Sequence, residues 1–212
     1  MKMENTMINE IWTDKAECVI PTEYGDFMMR VYQPLNDFEP APIVFYKGSL
    51  QGKNDVLARV HSECITGEVF GSQKCDCGPQ LDFALKAIAK ENRGMVIYLR
   101  QEGRGIGLFN KVRAYELQDE GQDTIQANVL LGLPVDARTY EWAVAILHDF
   151  QISRVKMMTN NPEKIKYLKA NGIDVVHRVP VETGINENNL KYLLTKRDLM
   201  SHTLKLHRVL NS

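Results

Sequence analysis

Long apolar runs are missing from this sequence of 212 residues, and so is an N-terminal segment in which basic residues precede an apolar stretch. A helix that spans a membrane needs about 20 consecutive, mostly apolar residues, so we expect no membrane partner. A secretory signal peptide needs the basic and apolar segments that are lacking here. The protein is therefore expected to be cytoplasmic.

An excess of positive charge is also missing, because 26 lysines and arginines are balanced by 27 acidic residues, for a net charge of -1. Dedicated nucleic-acid binders usually carry a broad basic surface, so we expect no nucleic-acid partner. Any anion that the protein binds must meet a local cluster of basic groups. The apolar content of 44% and the charged content of 25% are typical of a globular protein.

Segments rich in Gly, Pro or Ser that would mark a domain boundary are absent from the sequence, and no internal repeat or low-complexity stretch interrupts it. The length is sufficient for one domain with a full core. We predict a flexible lead-in over residues 1–15, a single domain over residues 16–204 and a C-terminal tail over residues 205–212.

Cysteine is scarce, and three of the four cysteines are clustered as Cys64-x10-Cys75-x-Cys77, with Cys18 apart. This arrangement does not resemble a secreted disulfide framework. Thiolates so close together form a soft pocket suited to zinc. Three interpretations remain open at this point: a catalytic zinc with an open fourth position, a structural zinc completed by Cys18 or a histidine, of which His61 is the nearest, and reduced thiols packed as small apolar groups.

Periodicity predicts an α/β fold with a mixed β-sheet, helices packed on its faces and an N-terminal hairpin region. The hairpin is expected over residues 16–33, around a turn at residues 24–26. Further strands are predicted near residues 43–48, 56–62, 95–99, 154–159 and 173–179. Helices are predicted over residues 79–92, 108–121, 139–150 and 162–172, and from 186 to about 204.

A glycine-rich loop, RQEGRGIG at residues 100–107, follows a predicted buried strand and precedes a predicted helix. Such a loop can offer backbone N–H groups to a phosphate, although Gly-x-Gly clusters also serve plain turns. Basic residues nearby favour the phosphate interpretation, because guanidinium groups form bidentate bonds with phosphate oxygens. These residues are Arg100, Arg104, Lys111 and Arg113.

Five segments in the same order resemble the GTP cyclohydrolase II family, whose members open the guanine ring of GTP at the start of riboflavin synthesis. They are RVHSEC, CDCG ten residues later, RQEGRGIGL-x-NK-x-RAY-x-LQD, D-x-R and TNNP-x-K. The resemblance covers roughly residues 17–204. It implies GTP as the small-molecule substrate, one Zn2+ per subunit, Mg2+ with the triphosphate, a homodimer, and release of formate and pyrophosphate to leave a phosphoribosylamino diaminopyrimidinone.

The resemblance also implies roles for individual residues. The zinc ligands would be Cys64, Cys75 and Cys77, and the catalytic residues would be Tyr115, Asp136 and Arg138. The substrate-binding residues would be Arg59, Val60, His61, Ser62, Glu63, Gln80, Glu102, Gly103, Arg104, Thr124, Thr159 and Lys164.

The chemistry of these residue types agrees with the implied roles. Zinc held by three thiolates can lower the pKa of a bound water for attack on the imidazole ring of guanine, and Tyr115 could orient that water or donate a proton. The family proposal makes Arg138 a nucleophile with Asp136 as its base. Because arginine has a pKa above about 12, a charged clamp on the α-phosphate is the milder role, and both remain open.

Further side chains have narrower expected roles. Glu102 is expected to recognise the N–H edge of guanine, Lys164 to contact phosphate and His61 to support the zinc site. The other histidines are expected to be surface or core residues: His148, His177, His202 and His207.

Two departures from the usual family pattern are Gln126, where glutamate is common, and Ser201, where glycine is common. Neither replaces a ligand or a catalytic residue. Only about 16 residues precede the matched region, so we expect a single-function protein without a dihydroxybutanone phosphate domain. Two rival functions remain: a related GTP hydrolase that retains the formyl group, which the presence of Tyr115 argues against, and a non-enzymatic zinc or nucleotide-binding regulator.

Overall fold

The structure is a computed structural model that describes residues 11–205, and its centre is a seven-stranded mixed sheet. The strands are β1 (Trp12–Ile20), β2 (Phe27–Pro34), β3 (Ile43–Lys47), β4 (Val56–Ser62), β5 (Gly94–Leu99), β6 (Arg154–Met158) and β7 (Asp174–Val179). The predicted α/β class and the N-terminal hairpin are confirmed. Strand β1 begins at Trp12, inside the segment that was predicted to be a flexible lead-in.

The order of the strands is β1-β2-β3-β5-β4-β6-β7. The pairs β1–β2, β2–β3 and β3–β5 are antiparallel. The pairs β5–β4, β4–β6 and β6–β7 are parallel. The carboxyl ends of β4, β5 and β6 therefore meet at one edge of the sheet, which is where open α/β sheets commonly bind ligands. The segment with the three clustered cysteines, the glycine-rich loop and the TNNP motif each follow one of these three strands.

Helices cover both faces of the sheet. They are α1 (Ile65–Glu68), α2 (Cys77–Glu91), α3 (Gly107–Asp119), α4 (Thr124–Leu130), α5 (Glu141–Asp149), α6 (Pro162–Ala170) and α7 (Leu190–Leu199). Helices α1 and α4 were not predicted, and α7 is shorter than predicted. Within residues 11–205, no helix combines the length and the apolar character that crossing a membrane requires.

Strand β4 is buried along almost its whole length, as expected for a central parallel strand that is covered on both faces. Its alternating side chains face two different core clusters. Val56, Ala58 and Val60 belong to the larger cluster, which includes residues of α5 and α6. Leu57 belongs to the smaller cluster with Ile88 of α2. The same alternation directs Arg59 and His61 toward the α2 side.

Local signals explain where two of the helices begin. The side chain of Asn161 accepts a hydrogen bond from the backbone N–H of Glu163 at 2.9 Å, so Asn161 is the N-cap of α6, with Pro162 as the first residue. Gln126 completes a capping box with Asp123 at the start of α4, the arrangement that glutamate also forms.

The second departure from the family pattern has a conformational consequence. Ser201 has φ of 55°, in the left-handed region that favours glycine. This turn follows α7 and leads the chain back toward β6, where the backbone N–H of Thr203 donates to the carbonyl of Asn160 at 2.9 Å.

Candidate active site

Three thiols form a cluster at the carboxyl end of β4. The Sγ atoms of Cys64, Cys75 and Cys77 all lie within 4.8 Å of one another, and those of Cys64 and Cys75 are 3.6 Å apart. Cys64 directly precedes α1, and Cys77 is the first residue of α2. The short loop between these two helices brings the three sulfur atoms close together. One metal ion with thiolate ligands fits such a donor set.

Gly67 lines this sulfur pocket from the side of α1. A Cβ atom at this position would lie 2.8 Å from Sγ of Cys75 and 3.3 Å from Sγ of Cys64. Real Cβ atoms do not approach sulfur so closely, so a larger residue would displace the thiols. The backbone of α1 is therefore shaped to leave room for the three sulfur atoms.

Neither suggested fourth ligand belongs to the cluster in the part of the chain that the structure describes. Cys18 is exposed on β1. Both ring nitrogens of His61 have other partners, because Nδ1 accepts from Nε of Arg59 at 3.0 Å and Nε2 lies 2.7 Å from Oε1 of Glu68. Burial and the neighbouring charges of Arg59 and Lys164 lower the pKa of His61 well below its usual range. Three protein donors leave a fourth position for another ligand.

Without a cation, three neighbouring thiols do not share negative charge equally. Hydrogen bonds from the thiols of Cys75 and Cys77 lower the pKa of Cys64, and Lys111 adds to this effect with its Nζ 3.2 Å from Sγ of Cys64. The same hydrogen bonds to Cys64 raise the pKa of Cys75 and of Cys77. A divalent cation would allow all three groups to be thiolates.

Lys111 links the thiol cluster to the glycine-rich loop. Its ammonium donates to Oγ1 of Thr66 and to Oε1 of Glu102, each at 2.8 Å. The other carboxylate oxygen of Glu102 accepts from the backbone N–H of Ile65 at 2.6 Å. Glu102 therefore already has protein partners on both oxygens, and its predicted recognition of guanine remains a prediction.

A cavity opens beside the thiol cluster at the carboxyl ends of β4, β5 and β6, and most of the predicted site residues line it. They are Arg59, His61, Ser62, Glu63, Cys64, Cys75, Cys77, Gln80, Glu102, Gly103, Arg104, Tyr115, Arg138, Thr159 and Lys164.

Three predicted site residues are placed differently. The side chain of Val60 belongs to the hydrophobic core, and its carbonyl accepts a hydrogen bond from Nζ of Lys164 at 2.7 Å. Asp136 does not line the cavity but pairs with Arg138, which does. The backbone of Thr124 begins α4, whereas its side chain lies outside the described part of the structure.

The glycine-rich loop positions Arg104 and the segment that contains Asp136 and Arg138. The backbone N–H of Ala137 donates to the carbonyl of Arg104 at 2.9 Å, and a Cβ atom on Gly105 would lie 3.0 Å from the backbone of Ala137. The glycine thus permits the two segments to approach. Both terminal guanidinium nitrogens of Arg104 are buried and have no hydrogen-bond partner among residues 11–205. A buried cation without a partner beside a cavity indicates a site for an anion.

Other basic residues line the same cavity, among them Lys164. Lys164 lies in the first turn of α6 and is buried. Burial and the charges of Arg138 and Arg59 lower the pKa of Lys164 well below its usual range. These like charges repel one another across the cavity, and an anionic ligand would relieve that repulsion.

Arg138 and Asp136 form a paired unit ahead of α5. Nε of Arg138 donates to Oδ1 of Asp136 at 2.8 Å, and Nη2 donates to Oδ2. Burial disfavours the charged guanidinium, but the hydrogen bonds and charge of Asp136 outweigh burial, so the pKa of Arg138 lies above its usual range. The carboxylate therefore keeps the guanidinium protonated.

Tyr115 lies one helical turn after Lys111 on α3 and lines the cavity. Its ring centroid is 5.7 Å from Nζ of Lys111. Burial raises the pKa of Tyr115, which keeps the phenol protonated. Tyr115 therefore lines the same cavity as the three cysteines, with its phenol neutral.

Several cavity residues were not predicted from the sequence: Asp76, Asn128, Asn160, Tyr192, Lys196 and His202. His202 was expected to be a surface or core histidine, yet it lines the cavity because the turn at Ser201 leads the chain back. Of the other three histidines with the same prediction, His148 and His177 do not line the cavity, and His207 lies outside the described residues. The position of Asp76 between two cysteines was a usable signal, whereas α7 carries no recognisable motif.

Comparison with known proteins identifies similar chains. The model of a family described as GTP cyclohydrolase II matches residues 13–180. A GTP cyclohydrolase-2 from Neisseria meningitidis is 49% identical over 197 residues, covering 93% of this chain and 99% of that protein. A GTP cyclohydrolase-2 from Hahella chejuensis is 48% identical over 193 residues, covering 91% and 93%. The riboflavin biosynthesis protein RibBA from Mycobacteroides abscessus is 49% identical over 195 residues, covering 89% of this chain and 46% of that longer protein.

Proposed function

This chain belongs to the GTP cyclohydrolase II family, and from that premise we propose that it is a metal-dependent hydrolase that acts on GTP in riboflavin biosynthesis. The reaction opens the imidazole ring of guanine and releases formate and pyrophosphate. The product is the corresponding phosphoribosylamino diaminopyrimidinone.

One observation carries this proposal: the cavity combines three clustered thiols with guanidinium nitrogens of Arg104 that have no hydrogen-bond partner among residues 11–205. The thiols suit a soft divalent metal, and the guanidinium suits a phosphate. A nucleoside triphosphate carries a reactive ring at one end and a polyanion at the other. Its two ends match the two kinds of group in the cavity.

Zn2+ is the proposed metal, held by Cys64, Cys75 and Cys77, and it would supply an activated water for hydrolysis at the guanine ring. Lys111 stabilises negative charge on the sulfur of Cys64 through its ammonium group. Tyr115 has a protonated hydroxyl in the cavity, so it can donate a hydrogen bond to an oxygen that becomes negative during the reaction.

The basic residues bind the triphosphate in this proposal. Arg104 and Lys164 contact phosphate oxygens, and Mg2+ accompanies the triphosphate, as hard cations usually do. Arg138 acts as a charged clamp on the α-phosphate, because the carboxylate of Asp136 raises its pKa and so disfavours a neutral, nucleophilic guanidine. Glu63, Gln80 and Thr159 complete the polar wall around the nucleotide.

A homodimer is part of the proposal, and an exposed apolar face supports it. Helices α3 and α4 pack together, and both expose large apolar side chains. These side chains are Leu108, Phe109, Val112, Val129 and Leu130. A second copy of the chain would cover this face, and light scattering would measure the mass directly.

The test of function is incubation of the purified protein with GTP, Zn2+ and Mg2+, with formate, pyrophosphate and pyrimidine absorbance followed together. Release of formate and pyrophosphate is expected. Ring opening with the formyl group retained would identify the related hydrolase instead, and nucleotide binding without turnover would identify a regulator. Guanosine without phosphates is the matched control, because it keeps the reactive ring but cannot engage Arg104 through phosphate.

A further inference from the structure

Lys196 of α7 reaches into the wall of the active-site cavity. Its ammonium donates to Oδ1 of Asp76 at 2.8 Å and lies 4.3 Å from the ring centroid of Tyr192. Asp76 itself is only 2% exposed. Since Asp76 stands between Cys75 and Cys77 in the chain, Lys196 contacts the turn that carries two of the three thiols.

The second carboxylate oxygen of Asp76 forms a hydrogen bond with Gln80, which also lines the cavity. Oδ2 of Asp76 accepts from Nε2 of Gln80, and Oε1 of Gln80 accepts from Nη2 of Arg59 at 2.6 Å. Asp76 and Arg59 thus hold opposite ends of the Gln80 amide and define its orientation. A chain of hydrogen bonds runs from α7 to β4.

The buried negative charge of Asp76 needs a neighbouring positive charge, which the ammonium of Lys196 supplies. A buried carboxylate next to thiolates in the chain is unfavourable unless a cation neutralises it directly. Among the described residues, Lys196 is the basic group in direct contact with this carboxylate, whereas Arg59 reaches it only through Gln80. Removing the ammonium would leave Asp76 free to turn away and to release both the thiol turn and Gln80.

We propose that Lys196 is a positioning residue of the active site, which holds Asp76 and thereby fixes the Cys75–Cys77 turn for metal binding and the Gln80 amide for nucleotide binding. Helix α7 then contributes to the function of the site through Lys196, in addition to lining the cavity. This inference rests on the proposed function for its kinetic part, but its metal-binding part is measurable without turnover.

The test compares five forms of the full chain: wild type, Lys196→Met, Asp76→Asn, the double variant of these two, and Lys196→Arg. Zinc loss to a chromogenic chelator is measured first, followed by KM and kcat for GTP. Lys196→Met is expected to speed zinc loss by about 10- to 100-fold, the usual cost of losing support around a metal ligand, and to lower kcat. Lys191→Met is the matched control, since Lys191 is exposed on the same helix, and no change is expected.

The double variant distinguishes positioning from direct contact with phosphate. If Lys196 acts through Asp76, then Asp76→Asn removes the unpaired charge, and the double variant should lose zinc more slowly than Lys196→Met alone. Lys196→Arg keeps the charge and should retain most of the zinc affinity. Circular dichroism confirms that each variant is folded, and the double variant and Lys196→Arg keep the test valid if Lys196→Met does not fold.

Two results would overturn the inference. One is an unchanged rate of zinc loss in Lys196→Met with only a raised KM, and the other is equally fast zinc loss in Lys196→Met and in the double variant. A wild type that binds zinc but releases no formate from GTP would overturn the proposed function alone. A wild type that binds no zinc would overturn both.

Discussion

Nε of Arg138 donates to Oδ1 of Asp136 at 2.8 Å, within a two-pronged pairing of guanidinium and carboxylate. This pairing raises the pKa of Arg138 against the opposing effect of burial, so it keeps the guanidinium charged. A nucleophilic arginine would require the opposite shift. The geometry therefore favours a charged clamp over covalent attack on phosphorus.

Arg138→Ala is expected to slow pyrophosphate release by about 100- to 1000-fold, the usual cost of removing one group that stabilises charge in a transition state. Arg138→Lys should retain part of the activity, because a lysine keeps the charge but loses the two-pronged geometry. Single-turnover assays of pyrophosphate would measure both. Arg113→Ala is the control, because Arg113, although a basic residue near the glycine-rich loop in sequence, is exposed on α3 and does not line the cavity. Near-normal release by Arg138→Ala would refute any catalytic role.

Cys75→Ser is expected to abolish zinc binding and formate release, because two thiolates and a hydroxyl form a much weaker site for zinc. Cys18→Ser is the matched control, since Cys18 is exposed on β1 and away from the cluster. Metal content per chain, measured by elemental analysis, is the direct readout. Full zinc content in Cys75→Ser would remove Cys75 from the ligand set.

Gly67→Ala is expected to lower zinc content without unfolding the protein. The added methyl group would lie 2.8 Å from Sγ of Cys75, so the sulfur atoms must move apart. Gly71→Ala is the control: its φ of 64° strains an alanine, but apart from the glycine itself and its two chain neighbours, no described residue has an atom within 4 Å of the new methyl group. Metal analysis and thermal unfolding separate the two effects. An unchanged metal content in Gly67→Ala would show that the sulfur pocket has more room than the geometry indicates.

Lys111→Met is expected to lower the free energy of unfolding by about 3 kcal/mol, because it leaves Glu102 as an uncompensated buried carboxylate. Adding Glu102→Gln should restore part of the loss, since the unpaired charge disappears. Urea denaturation measures all three forms, and Arg113→Gln should stay within about 0.5 kcal/mol of wild type. No recovery in the double variant would show that the thiol contact of Lys111, and not Glu102, is responsible.

Asp149→Asn tests a charge cluster that joins the N-terminal hairpin to α5. Asp149 accepts hydrogen bonds from Nζ of Lys15 at 2.6 Å and from the hydroxyl of Tyr32 at 2.7 Å. Burial opposes ionisation of Asp149, but these hydrogen bonds outweigh it and hold its pKa below the ordinary value of 3.8.

A depressed pKa of a carboxyl group contributes stability above the unfolded value and loses it as the pH falls through the folded value. Wild type should therefore be more stable than Asp149→Asn near neutral pH, and the difference should shrink below 3.8. Thermal unfolding across this range is the measurement. Asp174→Asn, at an exposed position on β7, should show a smaller difference at every pH. A constant difference for Asp149→Asn would contradict the role of its charge.

Much of the fold followed from periodicity. The buried run in β5 and the glycine loop after it predicted a strand, a turn and a helix in the right order, because burial and backbone freedom are local properties. Helices α1 and α4 escaped prediction, since short helices lack a complete apolar period. The start of β1 was also missed, because that strand is mostly exposed and alternates only weakly.

The sequence by itself determined the metal ligands and the basic loop as candidates, because thiolate and guanidinium chemistry depends on residue type and on spacing that the chain carries locally. Only the tertiary structure decided which of these groups share a cavity, since that depends on β4, β5 and β6 ending at one edge of the sheet. It also decided the contact between Lys196 and Asp76, which are 120 residues apart in the chain. No local pattern encodes such a pairing, because it arises from how α7 packs back onto the turn between Cys75 and Cys77.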